Sequence, residues 1–188
     1  MAVSGAPDAG DDPTTEVARS LALLLEADEL PGPGWEVSGD RTWVTGALDP
    51  DSPKSRRARE AGLVTAWRSF EQAGTGRTAW VEVVPYATAE DAELSRRQSP
   101  PYFVGTDQPD EHVVAGGEVD GHTIDAVAEL WVYEKSVAGP GGVRVSRYVA
   151  GTVDRVLLIA SCAGDEGAWS LDDLMELATA LVDRVRAG

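Results

Sequence analysis

HVVAGGEVDGHTIDAVAELWVYEKSVAGPGGVRVSRYVAGTVDRVLLIAS, residues 112–161, is the stretch whose reading decides the fold. It reads as four consecutive antiparallel strands. Asp120-Gly121 tolerates the positive φ angles of a two-residue type I′ turn, which predicts a hairpin with His122 opposite Val119 and His112 opposite Glu129. From Thr123 to Tyr133 the residues alternate, with Ile124, Ala126, Ala128, Leu130 and Val132 on one face and Asp125, Val127, Glu129, Trp131 and Tyr133 on the other. Gly139-Pro140-Gly141-Gly142 stops that strand. Val143 to Ala150 and Val153 to Ser161 then form a second pair, joined near Gly151-Thr152.

Upstream, Met1 to Asp12 holds Gly, Pro, Ala and Asp with no apolar period, and residues 1–12 are expected to be disordered. Asp12-Pro13 supplies a helix cap and a first-turn proline, and Val17, Leu21, Leu24 and Leu25 make the stripe of a short helix. Trp35 to Val37 and Thr42 to Thr45 look like two short strands. Ser52-Pro53 starts a second helix, in which Leu63, Val64, Trp67 and Phe70 mark one buried face and Gly74 the stop. Arg77 to Tyr86 is apolar on both faces, as in a strand covered on both sides. Thr88 and Asp91 cap a third helix to Arg97 or Gln98, and Ser99 to Glu111, with Pro100, Pro101 and Pro109, reads as a long loop. Trp169, Ser170, Asp173 and Leu174 open the last helix, which is expected to bury Leu171, Leu174, Leu177, Ala178, Leu181 and Val182. The expectation is one α+β domain over residues 13–188, an α/β/α sandwich. A mainly antiparallel sheet of five to seven strands is covered by helices beginning near Pro13, Pro53, Ala89 and Leu171.

Composition narrows the function. At 188 residues there is one good core's worth of chain, and 32 acidic against 16 basic residues give a net charge of −16. Binding to nucleic acid or insertion into an anionic membrane would work against that charge. The single cysteine, Cys162, permits no internal disulfide. It sits just past a strand end, and its acidic flanks predict a buried, inert thiol and no catalytic nucleophile. The N-terminus has no basic region, and Leu21 to Leu25 is too short for an export segment or a membrane span, so a cytoplasmic location is expected.

The predicted hairpin register separates the two histidines by roughly 20 Å and Asp125 from Glu129 by about 13 Å. Neither a metal site nor a glycosidase-type carboxylate pair follows. No cofactor loop is present, since Gly74-Thr75-Gly76 and Gly139 to Gly142 lack a phosphate-binding frame.

Two surfaces remain. Lys54, Arg56, Arg57 and Arg59 crowd the start of a helix, where the dipole disfavours cations, and local carboxylates, an anion or an acidic partner would offset that cost. Trp131, Tyr133 and Tyr148 project from neighbouring strands, with Tyr102 and Phe103 in the proline-rich loop beside them. Such a cluster suits a small apolar ligand or a protein partner's anchor residue, or else forms the seat of a helix.

Leu24-Leu25-Glu26-Ala27-Asp28-Glu29-Leu30-Pro31-Gly32, leading to Trp35-Glu36-Val37, resembles the opening of sensor-like domains and lipoproteins of high-GC Gram-positive bacteria. Gly151-Thr152, the strand Val156 to Ser161 and a last amphipathic helix are similar to their ending. The resemblance implies a PsbP-like α/β/α sandwich and, in kinase-linked members, binding of a ligand or partner outside the cell. It implies no catalytic residues. This chain departs from those relatives in lacking their disulfides, a lipobox cysteine and an anchor. The function expected is a non-catalytic binding or interaction module with its site at Tyr102, Phe103, Trp131, Tyr133 and Tyr148. Alternatives are an assembly or chaperone-like component with an acidic interaction surface and a small hydrolase.

Overall fold

The computed structural model describes residues 13–47, 49–98, 112–127, 129–139 and 141–188. Among them, seven strands make one antiparallel sheet: β1 (Trp35–Val44), β2 (Val64–Gln72), β3 (Thr78–Pro85), β4 (His112–Glu118), β5 (Trp131–Gly139), β6 (Gly142–Val153) and β7 (Val156–Asp165). Their spatial order is β1-β2-β3-β7-β6-β5-β4. The helices are α1 (Pro13–Ala22), α2 (Pro53–Glu60), α3 (Ala89–Gln98) and α4 (Leu171–Ala187). The α+β class and all four expected helix starts therefore hold. The segment expected to be disordered, residues 1–12, lies outside the described residues.

The larger core lies between the sheet and the helices α1 and α4. Leu174, Leu177, Ala178, Leu181 and Val182 recur at helical spacing on α4 and meet Val149, Leu158 and Ala160 from the sheet. Ser170 caps α4 by accepting from the Asp173 amide at 3.0 Å, while the Ser170 amide donates back to the Asp173 carboxylate at 2.9 Å. Trp169 and Trp35 close one end, with ring centroids 5.2 Å apart and the Arg77 guanidinium 4.1 Å from the Trp169 ring. β3, apolar on both faces, runs inside the sheet between β2 and β7 as expected.

The Asp120-Gly121 hairpin does not form. β4 and β5 pair from Glu118↔Tyr133 to His112↔Ala138, so the described residues between Val119 and Leu130 form a wide connection and not two strands meeting at a tight corner. Ile124, Val127 and Leu130 point inward at a spacing of three and line a small apolar pocket against Ala178, Leu181 and Val182 of α4. Between them the chain turns, with Val127 N–H donating to the Ile124 carbonyl at 3.1 Å and Ala126 at φ 70°. Loop residues packing inward had mimicked a strand. Gly151, expected at a turn, lies within β6 instead. A Cβ there would stand 2.6 Å from Val127, so only glycine admits this loop so close to the sheet. The β6–β7 turn is at Asp154-Arg155, flanked by the pair Val153↔Val156.

Two further expectations are corrected. Leu63, Val64, Trp67 and Phe70 lie at the start of and along β2, not on a helix, because α2 ends at Glu60 and its cap at Ala61. In β2 the residues Val64, Ala66, Arg68 and Phe70 alternate inward, and the arginine had hidden that period. The two short strands around Ser38-Gly39 are one strand, β1, whose register shifts between Val37 and Gly39.

Candidate functional site

Residues paired across an antiparallel ladder share a face, and so do residues two apart on one strand. Following the registers from β2 to β5, Trp67 faces Glu82, Trp80 stands two residues from Glu82 and faces Ser161, and Ser161 faces Tyr148. Tyr148 in turn faces Tyr133, with Trp131 two residues further along. Five aromatic side chains thus cross five strands on the face turned away from α4. The sheet joins what the sequence separates by as much as 81 positions, from Trp67 to Tyr148.

One half of this face is roofed by α3. Ala92 of α3 packs with Val84, Tyr86, Leu157 and Ile159, and Trp131 and Tyr133 belong to the same cluster. Trp131 and Tyr133 are 7% and 8% exposed, and their rings stack with centroids 5.4 Å apart. The Trp131 indole Nε1 donates to Glu118 Oε1 at 3.0 Å. Gly116 makes room for the Tyr133 hydroxyl, which a Cβ there would meet at 2.8 Å. Trp80 and Tyr148, with centroids 6.4 Å apart, are partly exposed, as are Trp67 and Glu82. Tyr102 and Phe103, expected to complete the site, lie outside the described residues.

Salt bridges fix the roof. Arg57 of α2 donates from Nε to Asp91 Oδ2 of α3 at 2.9 Å and from its Nη2 to the other carboxylate oxygen. That fork holds the buried Asp91 carboxyl below the usual carboxylate range. On the next turn Arg96 donates to Glu93 Oε1 at 2.6 Å and also to Glu129, while Thr152 of β6 donates to Glu93 at 3.2 Å. Hydrogen bonding from Arg96 likewise lowers the Glu93 pKa.

The basic start of α2 is therefore largely engaged within the fold. Lys54 is 8% exposed, its Nζ donates to Gln98 Oε1 at 2.6 Å, and burial lowers its pKa. Arg59 donates to the carbonyls of Gly46 and Pro50 at 3.3 and 2.7 Å. Arg57 is paired with Asp91, and Arg56 is exposed. The local carboxylates expected from sequence are mostly replaced by groups from α3 and the backbone.

Glu82 was missed in the sequence, hidden in an apolar run. It lies on inner strand β3 between Trp67 of β2 and Ile159 of β7, with Trp80 and Val84 two residues away on either side. Among the described residues no donor and no cation reaches its carboxylate, and burial pushes its pKa up to about 7. The signal available in sequence was an acid in the middle of Trp80 to Tyr86, a segment read as doubly covered.

The other candidates separate. Cys162 is 1% exposed, and burial raises its thiol pKa to about 12, which makes it inert at neutral pH. The expected pairing of His112 with Glu129 is corrected: His112 stands opposite Ala138, and Glu129 accepts from Arg96. His122 and Asp125 belong to the 119–130 connection. Among the described residues no group of three His, Cys, Asp or Glu side chains could hold a metal ion. No helix among them is long and apolar enough to cross a membrane.

No protein-family model matches the chain, and no curated protein matches it in sequence. In structure it is similar to the extracellular domain of PknH from Mycobacterium tuberculosis, at 14% identity and a TM-score of 0.62 over 91% of this chain and 96% of that one. A putative uncharacterized protein of Mycobacterium smegmatis, the Rv0999 ortholog, aligns over 96% and 98% of the two chains at 15% identity and a TM-score of 0.46. The cytoplasmic placement inferred from a missing export signal is corrected by the first of these, since the fold serves outside the cell in PknH. The expected likeness to kinase-linked domains holds at the level of the fold, and this chain has the seven-stranded antiparallel α+β fold of the PknH extracellular domain.

Proposed function

We propose that residues 13–188 form a single sensor-like, non-catalytic binding module that works outside the cell and takes a small ligand or a partner's anchor side chain on its aromatic face. The observation that carries this is the run of rings from Trp67 to Trp131, half roofed by α3 and only partly buried at Trp67, Trp80 and Tyr148. Concave or partly roofed aromatic surfaces give large contact area at small cost in side-chain ordering. The likeness in fold to the extracellular domain of PknH supports the sensor-like role, and the wider PsbP-like kinship of the sandwich belongs to the same proposal. Tyr102 and Phe103 are proposed to complete the site. A contact with an anion or acidic partner at the start of α2 would fall mainly to Arg56, because Lys54, Arg57 and Arg59 already serve the fold.

A fragment screen read on the indole N–H signals of the full chain tests the placement. Aromatic and aliphatic fragments should shift Trp67, Trp80 and Trp131 saturably, and Tyr148→Ala should weaken the hits at least fivefold. Hits that move only Trp35 and Trp169, at the end of the opposite core, would refute it.

A further inference from the structure

We propose that the partly exposed end of the aromatic face is a site for a small organic cation, an amine or quaternary ammonium group, with Glu82 as its counter-ion and Trp67 and Trp80 as its walls. This rests on the preceding assignment of that face to ligand binding and names the chemistry of the ligand.

A carboxylate flanked by Trp67, Trp80, Val84 and Ile159 loses hydration and, among the described residues, receives neither a hydrogen bond nor an ion pair in return. Most of the described cations near this side of the sheet are committed elsewhere. Lys54 donates to Gln98, Arg57 to Asp91 and Arg96 to Glu93. Arg41 of β1 lies 5.5 Å from the centroid of the Trp67 ring, and the ladder order Arg41–Trp67–Glu82 places Trp67 between that guanidinium and the carboxylate. Lys135 is buried three strands away on β5. Among the described residues the fold therefore sets a negative charge beside two tryptophans without supplying its counter-ion.

The walls favour an organic cation over other occupants. Trp67 is directly opposite Glu82 and Trp80 is diagonal to Trp67, so the two tryptophans are cross-strand neighbours with Cβ atoms somewhat less than about 7 to 8 Å apart. Indole faces beside a carboxylate attract cations most strongly where water is excluded, and an ammonium head carries the charge that Glu82 lacks a partner for. A neutral apolar ligand would leave the carboxylate desolvated and unpaired. A divalent metal would need further ligands, and the described residues offer no such group. The net charge of −16 adds a long-range attraction for cations.

Choline and its uncharged isostere 3,3-dimethylbutan-1-ol separate charge from shape. Both are titrated into the full chain at pH 8, following tryptophan fluorescence and the Trp67 and Trp80 indole signals. Choline should bind saturably and at least tenfold more tightly than the alcohol, and Glu82→Gln, which stays folded, should erase that difference. Equal binding of the two compounds would overturn the cation assignment while leaving the face a ligand site. Choline binding that survives Glu82→Gln unchanged, or no choline response on a face that takes neutral fragments, would overturn it as well.

Discussion

Replacing Arg68 with alanine should destabilise the protein by about 2 to 4 kcal/mol, the largest loss expected from a single polar side chain here. Arg68 is 8% exposed on the inner face of β2. Its guanidinium forks onto Asp40 of β1 at 2.7 and 2.9 Å, donates to the Leu25 carbonyl at 2.9 Å and pairs with Glu26 at 2.8 Å. One side chain therefore ties the edge strand to the segment that follows α1. Asp40 and Glu26 are 40% and 57% exposed and recover water when the arginine is lost, which keeps the cost below that of a fully buried pair. The Leu25 carbonyl does not recover so easily, since Leu25 itself is 0% exposed. Urea unfolding should show the loss, and Arg68→Lys should recover only part of it, because an ammonium cannot fork onto Asp40. A change below about 0.5 kcal/mol would mean that these bonds form on a surface already held by packing.

The second large effect has the opposite sign. Glu82→Gln should stabilise the protein by roughly 1 to 3 kcal/mol at pH 8 and leave it unchanged near pH 4. The folded carboxyl has a pKa of about 7 against an ordinary 4.5. Below 4.5 both the folded and unfolded chains hold the proton, so glutamic acid and glutamine are equivalent. As pH rises from 4.5 to 7 the unfolded chain releases it first, and stability falls through that window. Above 7 the folded chain carries a desolvated charge and the loss is complete. Some solvent reaches the carboxyl, which places the effect toward the lower part of the range. Thermal unfolding across pH 4 to 8 measures both arms. A glutamine variant less stable than the parent at pH 8 would reveal a partner for the carboxylate.

Local chemistry made much of this fold legible in the sequence. Ser52-Pro53, Thr88 with Asp91, and Ser170 with Asp173 are caps whose hydrogen bonds span three residues, and each marks a helix start in the structure. β3 was legible because apolar side chains on both faces leave few options besides an inner strand. Errors arose where inward packing followed another period. Ile124, Val127 and Leu130 occupy a loop but reach the core, so their neighbourhood imitated an alternating strand and drew the hairpin to Asp120-Gly121. In β2, Arg68 is a core-side residue only because Asp40, Glu26 and the Leu25 carbonyl surround it, and none of those contacts is local. The site shows the same division. Trp131, Tyr133 and Tyr148 were gathered by the β5–β6 ladder, whose turn sits at the expected glycines. Trp67, Trp80 and Glu82 join them only through pairings of β2, β3 and β7 that no short motif encodes.

The state of Glu82 is where fold and function meet, because an unpaired acid among tryptophans both weakens the sheet and recruits a ligand. Its carboxyl carbon, followed by NMR through a pH titration of the ligand-free full chain, gives the most direct test. A midpoint near 7 is the predicted result. A midpoint at or below the ordinary 4.5 would show a solvated or paired carboxylate and contradict the account.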